Sequence, residues 1–452
     1  MLEAMPASTS TAFLTDMYEL TMVDAALRAG TAHRSCVFEL FGRRLPATRR
    51  FGVVAGTGRL LEALQRFTFS DEQLRWLREQ RIVSDDTIDY LADYRFTGTI
   101  HGYREGECYF SGSPIITVEG TFADTVMIET LALSIFNHDC AVASAASRMT
   151  IAAHGRPCLD MGSRRTHERA GVSAARAAVI GGFSGTSNLE AGVRYDIDTI
   201  GTSAHSFTLL HDCEDDAFRV QIDALGTSTT LLVDTYDIRE GVERAVRIAR
   251  EHGGELGAVR LDSGDLVALA FKVRGQLDSL GAHSTKITVT SDLDEYAIAA
   301  LGAAPVDGYG VGTRLVTGSG VPTAALVYKL VERADEDGRR IDVAKKSASK
   351  STVGGRKCAG RVIGEDGYAV EELLVIGGTR EQQQAVLAEA GARPLQIPLV
   401  VDGEIDPAAW SAQAVTAARE HHRQARNELP YQAWRLSEGE AAIPTRYLTL
   451  DD

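Results

Sequence analysis

The second half of the chain repeats one pattern, in which a short apolar strand ends in polar or glycine residues and a helix follows. Asp234, Asp262, Ser291 and Gly312 each stand at such a strand end, and they are 28, 29 and 21 positions apart. These separations are the lengths of single βα units. Seven segments of this kind begin at residues 157, 182, 199, 231, 258, 287 and 308. The spacing therefore predicts an α/β fold with a (β/α) barrel.

The strand ends of such a barrel also predict where a ligand binds, because the loops after the strands meet at one face. His205 follows the apolar segment Ile197 to Gly201, which is predicted to be a strand, and its neighbours are small. A single histidine in this position is more often a hydrogen-bonded structural residue than a catalytic one. The convergence of seven strand ends on one face favours a catalytic role for His205.

Three domains are predicted along the chain. Residues 1–130 are expected to form a helix and a sheet-containing α+β domain, with Asp16 as the cap of a helix that stops at Gly30. Residues 131–345 are expected to form the barrel-like catalytic domain. Residues 346–452 are expected to form a C-terminal extension, a basic segment and a helical region, that packs back on the first domain.

Composition and charge exclude several classes of function. A net charge of −15 and a pI near 5.3 disfavour binding to nucleic acid. The six cysteines are scattered without a zinc-like spacing and predict reduced, mostly buried thiols. Neither a signal peptide nor a run of about 18 apolar residues is recognised in the sequence. We therefore expect a soluble cytoplasmic protein without a membrane partner.

Several strand-end residues are suited to a phosphorylated, anionic ligand. Arg164 and Arg165 lie between a strand and a helix start, where arginines and free helix N–H groups favour an anion. Arg260 and Asp262 flank one residue and point the same way from a strand, which suits a ligand with both a negative group and sugar hydroxyls. Asp262 and Asp265 are candidates for binding Mg²⁺ on a diphosphate.

Glycines near residue 310 have two readings. Gly308, Gly310 and Gly312, followed by Thr313, allow backbone amides to approach a phosphate. Tight packing inside a barrel explains the same glycines about as well. The basic segment from Arg339 to Arg361 also has two interpretations, a lid over phosphates and a solvated connector.

Taken together, the motifs closely resemble those of nicotinate phosphoribosyltransferases, in order from about residue 13 to residue 360. The matching segments are Thr15-Asp16-x-Tyr18-x-x-Thr21-Met22, Gly162-Ser163-Arg164-Arg165, Phe183-x-Gly185-Thr186-Ser187-Asn188, Gly201-Thr202-x-Ala204-His205-Ser206, Asp234-Thr235-Tyr236-Asp237, Arg260-Leu261-Asp262-Ser263-Gly264-Asp265 and Tyr309-Gly310-Val311-Gly312-Thr313. The resemblance implies a type II phosphoribosyltransferase with an incomplete (β/α) barrel. It also implies a homodimer whose sites lie at the subunit interface.

The same resemblance implies the reaction and its participants. Nicotinate and phosphoribosyl pyrophosphate would give nicotinate mononucleotide and pyrophosphate, with ATP as a co-substrate that is hydrolysed alongside and Mg²⁺ as cofactor. His205 matches a histidine that ATP phosphorylates, and Asp234 matches an acid that orients it. Tyr18 matches an aromatic that stacks on the pyridine ring from the neighbouring subunit. The remaining matched positions imply contacts with substrates or phosphate, and these are Arg164, Arg165, Thr186, Ser187, Arg260, Asp262, Gly310, Gly312 and Thr313.

Two departures from the family pattern stand out in the chain. Relatives carry Pro-Gly before the lysine of the basic segment, whereas this chain has Val353-Gly354-Gly355-Arg356-Lys357. The family's second ring-stacking aromatic has no clear counterpart, and Met161 is the nearest position.

Three alternatives remain beside the nicotinate enzyme. A nicotinamide phosphoribosyltransferase has aspartate where this chain has Ser187, and a carboxylate there would repel nicotinate. A barrel isomerase or aldolase acting on a phosphorylated sugar needs a base or a Schiff-base lysine at a strand end, and no predicted strand ends in lysine. A non-catalytic nucleotide-binding regulator has no need for both His205 and Asp234.

Overall fold

The computed structural model describes residues 10–345 and 352–450, which form two compact units. One unit comprises the described residues up to Ala141 together with those from Thr323 onward, and the other runs from Val142 to Pro322. These limits differ from the predicted domain limits at 130 and 345. Residues 326–334 join the first unit because they form a strand that pairs antiparallel with Ser35–Gly42.

The described residues up to Ala152 contain both helices and short strands, and the predicted sheet-containing N-terminal domain is confirmed. In order, these elements are α1 (Met17–Arg28), β1 (Ser35–Gly42), β2 (Gly52–Val53), α2 (Thr57–Gln65), α3 (Asp71–Gln80), α4 (Asp85–Ala92), β3 (Thr99–Tyr103), β4 (Cys108–Tyr109), β5 (Ile116–Thr121), α5 (Phe122–Val126) and α6 (Glu129–Ala152). Asp16 occupies the N-cap position of α1, but its side chain does not cap the helix. Its Oδ2 instead accepts a hydrogen bond from Thr130 Oγ1 at 3.2 Å.

The unit from Val142 to Pro322 contains the predicted βα repeat. Its elements after α6 are β6 (Cys158–Asp160), α7 (Glu168–Ile180), β7 (Gly185–Thr186), α8 (Leu189–Tyr195), α9 (His205–Leu210), α10 (Glu214–Leu225), β8 (Thr230–Leu232), α11 (Ile238–Glu251), β9 (Ala258–Leu261), α12 (Leu266–Ser279), β10 (Lys286–Ser291), α13 (Glu295–Ala300), β11 (Gly308–Val311) and α14 (Thr313–Val316). The six strands pair in the order β7-β6-β11-β10-β9-β8, and every pairing is parallel. The sheet curls into a half-barrel, so the predicted incomplete barrel is confirmed.

One of the seven predicted strands, from Ile197 to Gly201, does not form, so this prediction is wrong. This segment makes only an isolated parallel bridge between Thr199 and Thr186. A full strand needs several successive ladder bonds, and here the chain enters helix α9 at His205 before a ladder extends. The sheet therefore stays open between its edge strands β7 and β8.

The helical region predicted beyond residue 346 contains two long helices, and the structure adds strands that the sequence did not predict. From residue 323 onward the elements are β12 (Leu326–Ala334), β13 (Arg340–Asp342), β14 (Lys357–Ile363), β15 (Ala369–Ile376), α15 (Arg380–Glu389), β16 (Ala392–Pro394), β17 (Gln396–Val401), β18 (Glu404–Ile405), α16 (Ala412–Asn427) and β19 (Thr445–Thr449). One sheet has the order β13-β12-β1-β5-β3-β17-β18, and a second has the order β16-β14-β15-β19. Of these strands, β12 and β17 pair with β1 and β3, far away in the chain, which local sequence patterns do not reveal.

Three cationic side chains of the basic segment form buried ion pairs with residues of the unit that begins again at Thr323. Arg356 Nη1 lies 3.2 Å from Glu119, and Lys357 Nζ lies 2.8 Å from Glu39. Arg361 is fully buried against two carboxylates. These three side chains are therefore engaged in ion pairs within the fold. Lys346 and Lys350 lie outside the described residues.

One helical stretch is more apolar than the sequence analysis recognised. Residues Phe122–Ala152 are long and apolar enough to cross a membrane, judged by length and composition alone. In the structure 67% of the most apolar stretch is buried inside the protein, as in the core helix of a folded domain.

All six cysteines are free thiols, and only Cys213 is exposed.

Candidate active site

A cavity of about 770 Å³ lies in the unit from Val142 to Pro322. Its wall includes four of the predicted site residues, Arg164, Ser187, Arg260 and Asp262. These residues come from three different strand ends, those of β6, β7 and β9, so the structure brings together positions almost 100 residues apart in the chain. A larger cavity of about 1210 Å³ occurs in the other unit, but none of the predicted site residues lines it.

His205 is the first residue of α9, and 40% of its side chain is exposed. Its Nδ1 shares a hydrogen bond of 3.0 Å with Thr235 Oγ1. Its Nε2 lies 3.8 Å from Asp234 Oδ1 and 4.0 Å from Asp262 Oδ2, which is beyond hydrogen-bond distance. The imidazole is therefore oriented by a threonine, whereas Asp234 was expected to orient it. Both carboxylates still face the ring at these distances.

Asp234 connects the ends of two neighbouring strands. Its side chain is 1% exposed, and its Oδ2 accepts hydrogen bonds from Asp262 N at 2.8 Å and Ser263 Oγ at 3.1 Å. Its Oδ1, the oxygen nearest His205, is buried and has no hydrogen-bond partner among the described residues. An unpaired buried acceptor is costly, so this oxygen would gain from a hydrogen-bond donor.

Arg260 and Asp262 lie one residue apart at the end of β9, as strand alternation predicts. Arg260 Nη2 donates to Ser203 O at 3.1 Å and Nη1 donates to Thr202 Oγ1 at 3.4 Å, while its Nε is buried without a partner among the described residues. Burial lowers the pKa of the guanidinium, and the carboxylate of Asp262 opposes that shift. A cation that burial disfavours in this way gains from an anionic ligand.

The neighbouring wall of the cavity comes from the segments after β6 and β7. Arg164 and Arg165 are exposed on a short 3-10 helix, Ser163–Arg165, but only Arg164 lines the cavity. Ser187 follows β7 and is exposed on the same wall. Thr186 is buried, and its hydroxyl donates to Asp160 Oδ2 at 2.6 Å. Sequence reasoning missed Asp160, although a polar residue at the end of a predicted apolar strand is a signal for such a role.

Comparison with known proteins settles which family shares this arrangement. The models of the nicotinate phosphoribosyltransferase N-terminal domain and of the nicotinate phosphoribosyltransferase family match residues 13–137 and 157–357, respectively. The chain belongs to the nicotinate phosphoribosyltransferase family. A nicotinate phosphoribosyltransferase of Mycobacterium tuberculosis, PncB1, is 53% identical over 96% of this chain and 94% of its own length. The enzyme of Bacillus subtilis is 38% identical over 79% of this chain and 74% of its own length.

Solved structures support the same fold at lower identity. Human nicotinic acid phosphoribosyltransferase matches with a TM-score of 0.80 at 23% identity, covering 97% of this chain and 98% of its own. A nicotinate-nucleotide pyrophosphorylase from Pyrococcus furiosus matches with a TM-score of 0.72 at 22% identity, covering 96% and 99%. The resemblance found in the motifs is thus confirmed as family membership.

The family's glycine motif has a packing role at one position in this chain. A Cβ on Gly310 would lie 2.5 Å from Thr290 and 2.6 Å from Met161, so Gly310 is required for close packing beneath the site. Gly312 has more room, since a Cβ there would meet its nearest atom at 3.4 Å. Gly312 is also the N-cap of α14, which begins at Thr313.

The remaining family-matched residues lie at helix starts. Asp265 caps α12, since its Oδ1 accepts from Ala268 N at 3.1 Å, so part of this carboxylate is already engaged. Among residues 10–345 and 352–450, no group of three or more histidine, cysteine or acidic side chains is arranged to hold a metal ion. In the other unit, Tyr18 lies in the first turn of α1 and is 45% exposed.

Proposed function

We propose that this protein is a nicotinate phosphoribosyltransferase, which joins nicotinate to phosphoribosyl pyrophosphate and releases nicotinate mononucleotide and pyrophosphate in NAD salvage. The observation that carries the proposal is the cavity of about 770 Å³. Its wall combines residues of four separate family motifs, namely those that contain Arg164, Ser187, Gly201 and Arg260. Family membership over nearly the whole chain supports the same activity. We further propose the cytoplasm as its location.

Both substrates are anions, and the arginines of the cavity wall suit them. Arg164 and Arg260 would bind the nicotinate carboxylate and phosphate oxygens, since charge-assisted hydrogen bonds from arginine are strong and directional. Gly312 and Thr313, at the start of α14, are proposed to approach a phosphate with backbone amides. Arg165 would support binding from outside the cavity wall.

Glycosyl transfer builds positive charge on the anomeric carbon of the ribose. The carboxylate of Asp262, 38% exposed and in the cavity wall, is placed to stabilise that charge as pyrophosphate leaves. Tyr18 of a neighbouring subunit is proposed to stack on the pyridine ring and hold its nitrogen toward the ribose. Leu14 and Met17 are exposed apolar side chains close to Tyr18 in the sequence. They support a homodimer, since exposed apolar patches mark protein interfaces.

ATP is proposed to phosphorylate His205. A ring nitrogen would attack the γ-phosphorus, a P–N bond would form as the bond to ADP breaks, and water would later release phosphate. The partial exposure of His205 and the two carboxylates near its Nε2 support this role, because they stabilise the charge that develops on the ring.

Magnesium is proposed as the cofactor, held mainly by phosphate oxygens of the substrates. Mg²⁺ keeps several waters and usually binds one or two carboxylates in addition to phosphates, so a site with Asp262 and the half-engaged Asp265 fits it. When bound, the ion would neutralise charge on the departing pyrophosphate. The protein's own part is to place Asp262 and the arginines around the substrates.

The second candidate is nicotinamide phosphoribosyltransferase, and Ser187 argues against it. An amide substrate gains from an acceptor carboxylate at this position, whereas serine leaves room for a carboxylate. The test is to incubate the purified protein with phosphoribosyl pyrophosphate, Mg²⁺ and either nicotinate or nicotinamide, with and without ATP, and to measure pyrophosphate. Release with nicotinate supports the proposal. Release only with nicotinamide, or with neither, contradicts it.

A further inference from the structure

The carboxylate of Asp160 is buried at the carboxyl end of β6, and no cationic side chain among residues 10–345 and 352–450 forms an ion pair with it. Asp160 is 1% exposed, and its hydrogen bonds come from neutral groups. Burial raises the pKa of this carboxyl above its usual value, and the hydrogen bonds from Thr186 and Gly162 oppose the shift. Burying an acid in this way is unfavourable unless its oxygens are well bonded, and nothing in the proposed reaction uses Asp160 directly.

The two oxygens of Asp160 bind two different segments of the site. Oδ1 accepts from Gly162 N at 2.8 Å, at the turn that leads to Arg164. Oδ2 accepts from Thr186 Oγ1 at 2.6 Å, directly before Ser187. Because β6 and β7 are parallel neighbours with Asp160 opposite Thr186, the carboxylate bridges the two strands at the point where both chains leave the sheet.

Further hydrogen bonds extend this bridge to the residues of the cavity wall. The backbone oxygen of Asp160 accepts from Ser187 N at 2.8 Å. Thr186 Oγ1 accepts from Asn188 N at 3.1 Å, and Asn188 Nδ2 donates to Ser163 Oγ at 3.1 Å. The segments that carry Arg164 and Ser187 are thus joined to each other and to Asp160.

We propose that Asp160 and Thr186 are positioning residues, which set the relative placement of Arg164 and Ser187 and thereby the preference of the site for an aromatic carboxylate over its amide. The inference rests on the proposed function and deepens it. Thr186 acts here through its neighbours and does not contact the substrate, since its hydroxyl is already engaged on both sides.

The test compares four single variants and one double variant of the full-length protein. Asp160→Asn keeps an acceptor for Gly162 but replaces an acceptor with a donor opposite Thr186. Thr186→Val removes the hydroxyl, and Thr186→Ser restores it. Thr285→Val is the matched control, because Thr285 is also a buried threonine, whose hydroxyl donates to Leu256 O at 2.9 Å at the opposite ends of the strands.

We expect Asp160→Asn and Thr186→Val to raise the KM for nicotinate about five- to tenfold, the usual scale for one lost hydrogen bond. In the same two variants, the ratio of kcat/KM for nicotinate to kcat/KM for nicotinamide should fall, while kcat changes less than KM. Thr186→Ser should recover most of the loss. The double variant Asp160→Asn/Thr186→Val should be little worse than either single variant, since both break one bridge.

The control separates positioning from general stability. Thr285→Val should lower the Tm about as much as Thr186→Val and leave the KM for nicotinate and the substrate ratio unchanged. If Thr186→Val lowers the Tm while the KM and the ratio stay at wild-type values, Asp160 and Thr186 are merely structural and the inference is wrong. A wild-type protein inactive with both bases refutes the proposed function instead. If Asp160→Asn does not fold, Thr186→Val and Thr186→Ser still decide the question.

Discussion

Thr235 Oγ1 lies 3.0 Å from Nδ1 of His205, and this hydrogen bond fixes the plane of the imidazole at the mouth of the half-barrel. Thr235 directly follows Asp234, so one short segment after β8 presents a hydroxyl to one ring nitrogen and a carboxylate toward the other. The arrangement differs from a simple acid–histidine pair. It assigns ring orientation to the threonine and leaves the carboxylate free to stabilise charge.

Replacing Thr235 with valine should therefore weaken phosphorylation of His205. We expect ATP hydrolysis to fall about fivefold or more, on the scale of one hydrogen bond, with little change in the KM for nicotinate. Thr235→Ser keeps the hydroxyl and should stay close to wild type. Equal ATP hydrolysis in Thr235→Val and wild type would contradict the assigned role.

His205→Ala should separate ATP hydrolysis from nucleotide formation. Transfer should continue slowly without ATP, because Arg164, Arg260 and Asp262 still line the cavity. Incubation with γ-labelled ATP should label the wild-type chain with an acid-labile, base-stable phosphate and leave the variant unlabelled. Label on the variant, or stimulation of its transfer by ATP, would exclude His205 as the phosphoryl acceptor.

Ser187→Asp should reverse the choice of base. The new carboxylate would repel the carboxylate of nicotinate and accept a hydrogen bond from the amide of nicotinamide, so kcat/KM should fall far more for nicotinate. Ser187→Asn, which is similar in size but uncharged, is the control and should affect the two bases more evenly. Steady-state kinetics with both bases would check this, and equal losses for both would argue against a contact between residue 187 and the substrate.

Subunit mixing tests whether each site needs two chains. Tyr18→Ala and His205→Ala should each be impaired, and a hybrid dimer should hold one site with both residues intact. After full exchange of equal amounts, about one quarter of the sites should be intact, because half of the dimers are hybrids. Verified exchange without any recovery of ATP-stimulated activity would place Tyr18 and His205 of one site in a single chain.

The buried pair of Lys357 and Glu39 should contribute to stability and not to phosphate binding. Lys357→Met leaves Glu39 buried without its cation, so the free energy of unfolding should fall by about 3–5 kcal/mol. Adding Glu39→Leu should recover part of the loss. Arg78→Met, at the exposed pair with Asp85, is the control and should matter far less. Denaturant unfolding measures these changes. If Lys357→Met raises the KM for phosphoribosyl pyrophosphate without destabilising the protein, the hypothesis that Lys357 belongs to a lid over phosphates is supported instead.

The local pattern of the sequence predicted much of the half-barrel. The elements α7, β8, β9, β10 and β11 lie where alternating apolar runs, helical periodicity and strand-end polar residues placed them, because these signals depend on neighbours only a few positions away. The missing seventh strand and the C-terminal strands were not predictable in this way. Whether a segment becomes a strand depends on a partner, and β12 and β17 pair with β1 and β3, which lie in the first quarter of the chain.

The sequence by itself determined the family, the βα repeat and the set of residues at the strand ends. Only the tertiary structure decided which of those residues bond to each other. Asp160 reaches Thr186 across 26 positions, Asp234 reaches the Asp262 amide across 28, and Lys357 reaches Glu39 across 318. Such contacts are set by strand order and register, which arise from packing the whole chain and leave no trace in the spacing of any one segment.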